Sequence, residues 1–179
     1  MYVSSTNTGG PSSDMGGAAW LRQELEPLLL KYKVDAFFAG HHHSQQRTCA
    51  VANQVCADPT SLHRNRKPNP YADLDDTPSF GIVHVVTGAA GMWCNVFLDP
   101  DELPWLLFAN TQVHGYTRAR VRGNELTLDF VASNDRSVWD SVTIVQQPGG
   151  QAPLLRRNPS KTYQPAATKA KKRSFLREE

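Results

Sequence analysis

The chain is 179 residues long, with 40% apolar and 20% charged residues, a net charge of +2 and a mean hydropathy of −0.46. That length fits one domain, or most of one with a tail. The composition excludes a membrane-spanning helix, since no run of about 18 apolar residues occurs, and the charge is too small to imply a nucleic-acid partner by itself. The opening residues, Met1-Tyr2-Val3-Ser4-Ser5-Thr6, have neither a basic n-region nor an apolar h-region and do not read as a signal peptide.

Residues 1–13 are rich in Ser, Thr, Gly and Pro and read as a loop. Asp14 is a candidate helix N-cap. From about Ala18 to Lys33, Leu21, Leu25, Leu28, Leu29 and Tyr32 recur at helical spacing, which predicts an amphipathic helix with one face on a core. Pro27 removes one hydrogen bond and predicts a kink or break near Gln23–Glu24.

The run Val34-Asp35-Ala36-Phe37-Phe38-Ala39 has the length and composition of a buried strand, one charge aside. It ends in Gly40, which permits a sharp turn, and then in His41-His42-His43. Helix, strand and loop make half of an α/β unit, and ligands in such sheets sit beyond the carboxyl ends of strands. If the loop is extended, His41 and His43 project to one side, and two neutral imidazoles suit a borderline metal ion. Two ligands do not make a site, and a solvated polar loop remains the alternative.

Three cysteines are present. Cys49 and Cys56 bracket a segment able to close as a hairpin-like loop, so a disulfide between them is geometrically possible; three free thiols are the alternative. Cys94, after Gly91-Met92-Trp93, reads as a buried apolar thiol.

Residues 57–79 carry four prolines and no periodicity and read as a long surface loop. Its His63, Asp75 and Asp76 are expected to be solvated. Ile82–Thr87 is a second strand, ending in the small residues Gly88-Ala89-Ala90-Gly91; His84 within it reads as a core or sheet-face residue. That glycine turn lacks the lysine and following helix of a phosphate-binding loop. Asp99-Pro100-Asp101-Glu102 opens what reads as a short helix through Leu107.

Tyr116–Arg122 alternates, with Arg118, Arg120 and Arg122 on one side and Thr117, Ala119 and Val121 on the other. Gly123-Asn124 is a two-residue hairpin turn, and Leu126–Val131 returns. Ser137–Val145 is a further strand. The arginine row reads as a solvated sheet face rather than an anion-binding stripe. From Gln147 the composition turns basic and poor in apolar residues, which predicts a disordered tail. Its Lys169-Ala170-Lys171-Lys172-Arg173 run is too common a pattern to carry a function, and the lack of an aromatic–basic surface argues against nucleic acid as a partner.

Gly40-His41-His42-His43-Ser44-Gln45-Gln46-Arg47-Thr48 resembles the Gly-His-x-His-x-Tyr-Glu-Arg-Thr signature of the purple acid phosphatases, a metallophosphoesterase family. Gln45 and Gln46 stand at its Tyr and Glu positions. The strand 82–87, its glycine turn, Gly115-Tyr116, the hairpin turn near Arg122–Leu126 and Asp140-Ser141 resemble the segment that closes the family's catalytic domain. The resemblance implies an α/β class, the C-terminal portion of a metallophosphoesterase-type α/β sandwich, with a mixed sheet ending in an antiparallel hairpin region. It divides the chain into a core piece at 1–56, the surface loop at 57–79, the closing segment at 80–146 and the basic tail at 147–179.

For chemistry, the resemblance implies that His41 and His43 each bind one ion of a two-metal centre, Fe(III) with Fe(II), Zn(II) or Mn(II), that hydrolyses phosphate monoesters in the intact protein. It also implies a secreted, vacuolar or lysosomal setting, and the Arg-Thr-Cys…Cys arrangement is similar to that of some members. The family's Asp-x-Gly, Gly-Asp-x-x-Tyr and Gly-Asn-His-Glu segments are not in this sequence. Met1-Tyr2-Val3-Ser4-Ser5 matches the end of a further family motif, as if the chain began inside it. The chain is therefore expected to be a C-terminal fragment that binds metal weakly or not at all and does not catalyse alone. A non-catalytic binding or regulatory remnant, acting with a complementary phosphatase fragment, is the other reading.

Overall fold

The computed structural model describes residues 13–57, 80–93, 105–150 and 153–157. The expectations for the N-terminal loop, for His63, Asp75 and Asp76, for Cys94 and for the Lys169–Arg173 run lie outside those residues. The chain forms α1 (Ser13–Lys31), β1 (Ala36–Ala39), β2 (Gln45–Ala52), β3 (Val55–Cys56), β4 (Ile82–Thr87), β5 (Leu106–Asn110), β6 (Gly115–Arg122), β7 (Glu125–Ala132), β8 (Val138–Val145) and β9 (Leu154–Arg157).

The strands make two sheets. The first runs β1-β4-β2-β3, with β5 also on β2; β1 and β4 are parallel and the other pairs antiparallel. The second is an antiparallel meander, β6-β7-β8-β9. The expected mixed α/β architecture is thus present, weighted toward strands.

The sheets pack face to face through Ala50, Val83 and Val85 on one side and Leu128, Val142, Ile144 and Leu155 on the other. Each larger side chain buried there contributes roughly 1.5–3 kcal/mol. The register explains which residues face inward. Val83 and Val85 alternate with Ile82 and His84 along β4, and Leu128 and Phe130 alternate with Thr127 and Asp129 along β7.

In β2 the alternation is broken by a bulge. Arg47 pairs with Val85 and Ala50 with Val83, so three steps on β2 match two on β4. Gln45, Arg47 and Ala50 therefore all face the second sheet. Cys49 and Val51 turn to the other side and pack with Trp105. Cys49 and Cys56 form a disulfide, their Cα atoms 5.8 Å apart. It spans a hairpin whose turn residues, Asn53 and Gln54, both have positive φ, 48° and 69°.

Beyond the apolar core, the inter-sheet space becomes polar. Arg47 and Asp140 are both buried and form a two-pronged ion pair, with Nε to Oδ2 at 2.6 Å and an Nη2 to Oδ1 contact at 2.8 Å. Asp140 lies in one cross-strand row with Phe130 and Thr117. Phe130 meets the Phe108 ring of β5, 6.2 Å between centroids. Each member of that row thus touches the first sheet or the residues beside it.

Several expectations are corrected. The helix runs unbroken through Pro27: Pro27, Gln23 and Glu24 are exposed, so water can take the carbonyl that Pro27 leaves unbonded. It ends in a Schellman motif, in which the Val34 N–H reaches Leu29 O and the Lys33 N–H reaches Leu30 O, with Lys33 at φ 55°. Its apolar face is only partly covered. Leu25 and Leu29 are half-buried, while Trp20 is 61%, Leu28 50% and Tyr32 71% exposed. Glu26 is instead its buried residue and accepts the Asn53 N–H at 3.1 Å.

The predicted short helix through Leu107 is replaced by β5 from Leu106, because that segment completes the ladder on β2. The predicted disordered tail begins with β9, which pairs with β8 and buries Leu155 in the core. The arginine row is exposed, as a solvated face implies, and Arg118 and Arg120 in addition bond the fully buried Asp129 Oδ2, at 2.9 and 3.0 Å, while Ser141 Oγ donates to its other oxygen at 2.6 Å.

Removing one member of the buried Arg47–Asp140 pair leaves the other charge uncompensated. Asp140→Ala should destabilise the fold by about 3–5 kcal/mol, whereas the double change Arg47→Met with Asp140→Leu should cost much less. Urea denaturation midpoints of the three proteins check this.

Candidate functional site

The histidine loop follows β1 and precedes β2. Because β1 and β4 are parallel, it lies beside the turn leaving β4. The loop is not extended. The His42 N–H bonds Gly40 O at 2.9 Å and the Ser44 N–H bonds His42 O at 2.8 Å, so His41 and His43 each occupy the apex of a three-residue turn. His41 has φ 72°, the rare and strained form of such a turn, whereas Gly40 does not have positive φ. Left-handed backbone at a candidate ligand, beside a glycine able to adopt it freely, is local strain that the neighbouring packing must hold.

That packing is specific. The Gly88 N–H donates to Ser44 O at 3.0 Å, and a Cβ on Gly88 would lie 1.9 Å from His42 O. Only glycine lets the two loops approach so closely. Ser44 is fully buried, and its hydroxyl accepts from Gln46 Nε2 at 2.7 Å. Gln45 Nε2 donates to Thr117 Oγ1 at 2.9 Å, and Thr117 Oγ1 donates to Thr87 Oγ1 at 3.2 Å. Thr48 Oγ1 donates to Cys49 O and accepts the His84 N–H at 2.8 Å, on the bulged side of β2. The whole Gln45–Thr48 stretch is thus buried strand, not loop.

His41 is exposed and His43 half-buried, and the His41 and His42 rings meet edge to face at 5.7 Å. Among the described residues, no group of three or more His, Cys, Asp or Glu converges as a metal cage would require. Two imidazoles on adjacent, tightly held turns are donors of a type that suits a borderline metal ion. The arrangement can present two nitrogen donors; it cannot by itself fix a metal pair.

His84 belongs to the opposite face of the first sheet. It is 4% exposed and its ring lies 5.6 Å from Phe37. Burial pulls its pKa down from the ordinary histidine value to about 3.

Comparison with known proteins places the chain. Residues 81–141 match the sequence profile described as iron/zinc purple acid phosphatase-like protein C. The structure of purple acid phosphatase PPD1 from yellow lupin (Lupinus luteus) seeds superposes on 84% of this chain and 24% of that one, with a TM-score of 0.61 and 28% identity. This is a purple acid phosphatase-like chain. "Probable inactive purple acid phosphatase 1" of Arabidopsis thaliana is 32% identical over 123 residues, 69% of this chain and 18% of the relative. "Acid phosphatase type 7" of Mus musculus is 30% identical over 138 residues, 74% of this chain and 27% of the relative. The chain therefore spans between about a fifth and a quarter of the length of these relatives, and it corresponds to the family's C-terminal part.

Sequence reasoning singled out His41 and His43 but missed their supports: Thr87 and Thr117, the burial of Ser44 and the partner of Arg47. The Arg-Thr and Asp-Ser motifs were both visible; that they meet across 93 residues was not.

His84 gives a pH signature. Its folded pKa lies below its unfolded value, so the unfolded chain binds the extra proton between roughly pH 6.5 and 3. Stability is full above that window and falls as pH drops through it, by up to about 1.4 kcal/mol per unit. His84→Gln should flatten this acid slope in urea denaturation series from pH 7 to 4.

Proposed function

We propose that this chain is the C-terminal part of an acid phosphatase hydrolysing phosphate monoesters, in which His41 and His43 each donate to one ion of a two-metal centre. The observation that carries the reading is the paired-turn histidine loop seated on Gly88, a residue inside the matched stretch 81–141. The metal pair, Fe(III) with Fe(II), Zn(II) or Mn(II), would supply Lewis-acid polarisation of the phosphoryl group. This chain's own contribution is to hold two imidazoles in fixed positions, which lowers the ordering cost of binding and orienting. The isolated chain, with its partial donor set, is not expected to turn over substrate. The disulfide fits a secreted, vacuolar or lysosomal setting, where thiols stay oxidised.

A second reading is favoured by a different observation. The outer face of α1 and the residue after it expose Trp20, Leu21, Leu28 and Tyr32, and among the described residues β1 pairs only with β4, while Phe38 is 44% exposed. Exposed apolar side chains on a helix suit a protein partner, for which a complementary phosphatase fragment is the fitting chemistry. The curated name of one relative includes "probable inactive", so a non-catalytic binding role has a precedent in name.

Titration calorimetry with Zn(II) on the full chain, His41→Ala and His43→Ala tests the first reading. Each substitution should weaken binding about tenfold or more, a difference of ~1.4 kcal/mol or above. Equal affinity in all three would reject the metal assignment. Association that is lost in Leu28→Glu but kept in both histidine variants, read by sedimentation, would support the second.

A further inference from the structure

We propose that Thr117, on the second sheet, is a positioning residue for the histidine loop; this rests on the metal reading of His41 and His43. The loop of residues 40–44 has no ladder of its own. Its place is set by the strand ends that border it. Gln45 opens β2 directly after the loop, and Thr87 closes β4 directly before Gly88, on which the loop sits. These two residues are register partners in the ladder. The Thr117 hydroxyl engages both, accepting from Gln45 Nε2 at 2.9 Å and donating to Thr87 Oγ1 at 3.2 Å. A single hydroxyl offers one donor and two lone pairs, so one side chain can tie both ends at once.

Thr117 is itself well anchored. It shares a cross-strand row with Phe130 and Asp140, and Asp140 holds Arg47 two residues beyond Gln45. The second sheet therefore reaches the loop through two polar ties on alternate, same-facing residues of β2, Gln45 and Arg47. Arg47 fixes the strand; Thr117 fixes the mouth of the loop. In the half-buried space between the sheets such bonds are stronger than in water. Gln45 stands at the Tyr position of the resembling signature, so this amide–hydroxyl tie is a property of the residues found here.

The test uses the full chain with Cu(II) as probe, since copper binds imidazole tightly and its nitrogen couplings report ligation by electron paramagnetic resonance. Thr117→Val keeps the shape and removes the hydroxyl; Thr117→Ser keeps the hydroxyl. Thr117→Val should weaken Cu(II) binding about tenfold, with Thr117→Ser close to wild type. Wild-type affinity in Thr117→Val, or equal losses in both variants, would overturn the proposal. Histidine-ring resonances of the metal-free chain give an independent readout. If a His41→Ala/His43→Ala protein binds Cu(II) as tightly as wild type, the metal reading fails, and positioning is judged on those resonances alone. Shifts at His41 and His43 in Thr117→Val, restored in Thr117→Ser, would uphold it; unchanged rings would end it.

Discussion

The Arg47–Asp140 ion pair is the constraint on which the two-sheet packing turns. Both groups are buried, and neither could be tolerated there without the other. The pair fixes the relative position of β2 and β8, and with it the row of Thr117, Phe130 and Asp140 over the start of β2. The apolar core below this row is made of small and medium aliphatic side chains, which many offsets would satisfy about equally well. A two-pronged guanidinium–carboxylate contact accepts very few, so the polar layer supplies the geometry and the apolar layer most of the free energy.

The candidate site inherits that geometry. Its histidines stand on successive three-residue turns, one with left-handed backbone, and the glycine turn after β4 closes on them. Rigid surroundings around a strained loop are what a ligand site needs, because a donor already in place costs little further ordering. The likeness to purple acid phosphatases accounts for why such a loop is found at this end of the sheet. Two histidines are at most a partial donor set, so the proposed reaction is left to an intact protein.

Much of this was legible in the sequence, for identifiable reasons. The strand Ile82–Thr87 and the hairpin from Gly115 to Ala132 follow period-two patterning with a recognisable turn, and local chemistry decides such elements. β2 was not legible. Gln45, Gln46, Arg47 and Thr48 carry no strand pattern of their own, and only partners far away in sequence make them a buried strand. β9 was hidden for a similar reason: Leu154 and Leu155 sit in a basic stretch, and their value depends on the edge that β8 offers. The helix was found by its periodicity, but periodicity shows which face is apolar and not whether anything covers it. The histidine pair was found by type and spacing, while the backbone that presents it was not, since positive φ falls at His41 and not at the glycine next to it.

The bulge in β2 has a consequence for how this family segment can vary in length. Because the extra residue between Arg47 and Ala50 shifts the strand by one step, everything before it and everything after it face the second sheet on opposite phases of the pleat. A one-residue deletion there would give Arg47 and Ala50 the two-step spacing of Val85 and Val83, so both would still face the second sheet on a regular ladder; what would go is Thr48 with its tie to the His84 N–H, or Cys49 with its disulfide. The bulge is thus a point where the stretch from the histidine loop to Cys56 can lose one residue without changing which side chains face the core, much as a pleat sewn into cloth can be let out without moving its edges.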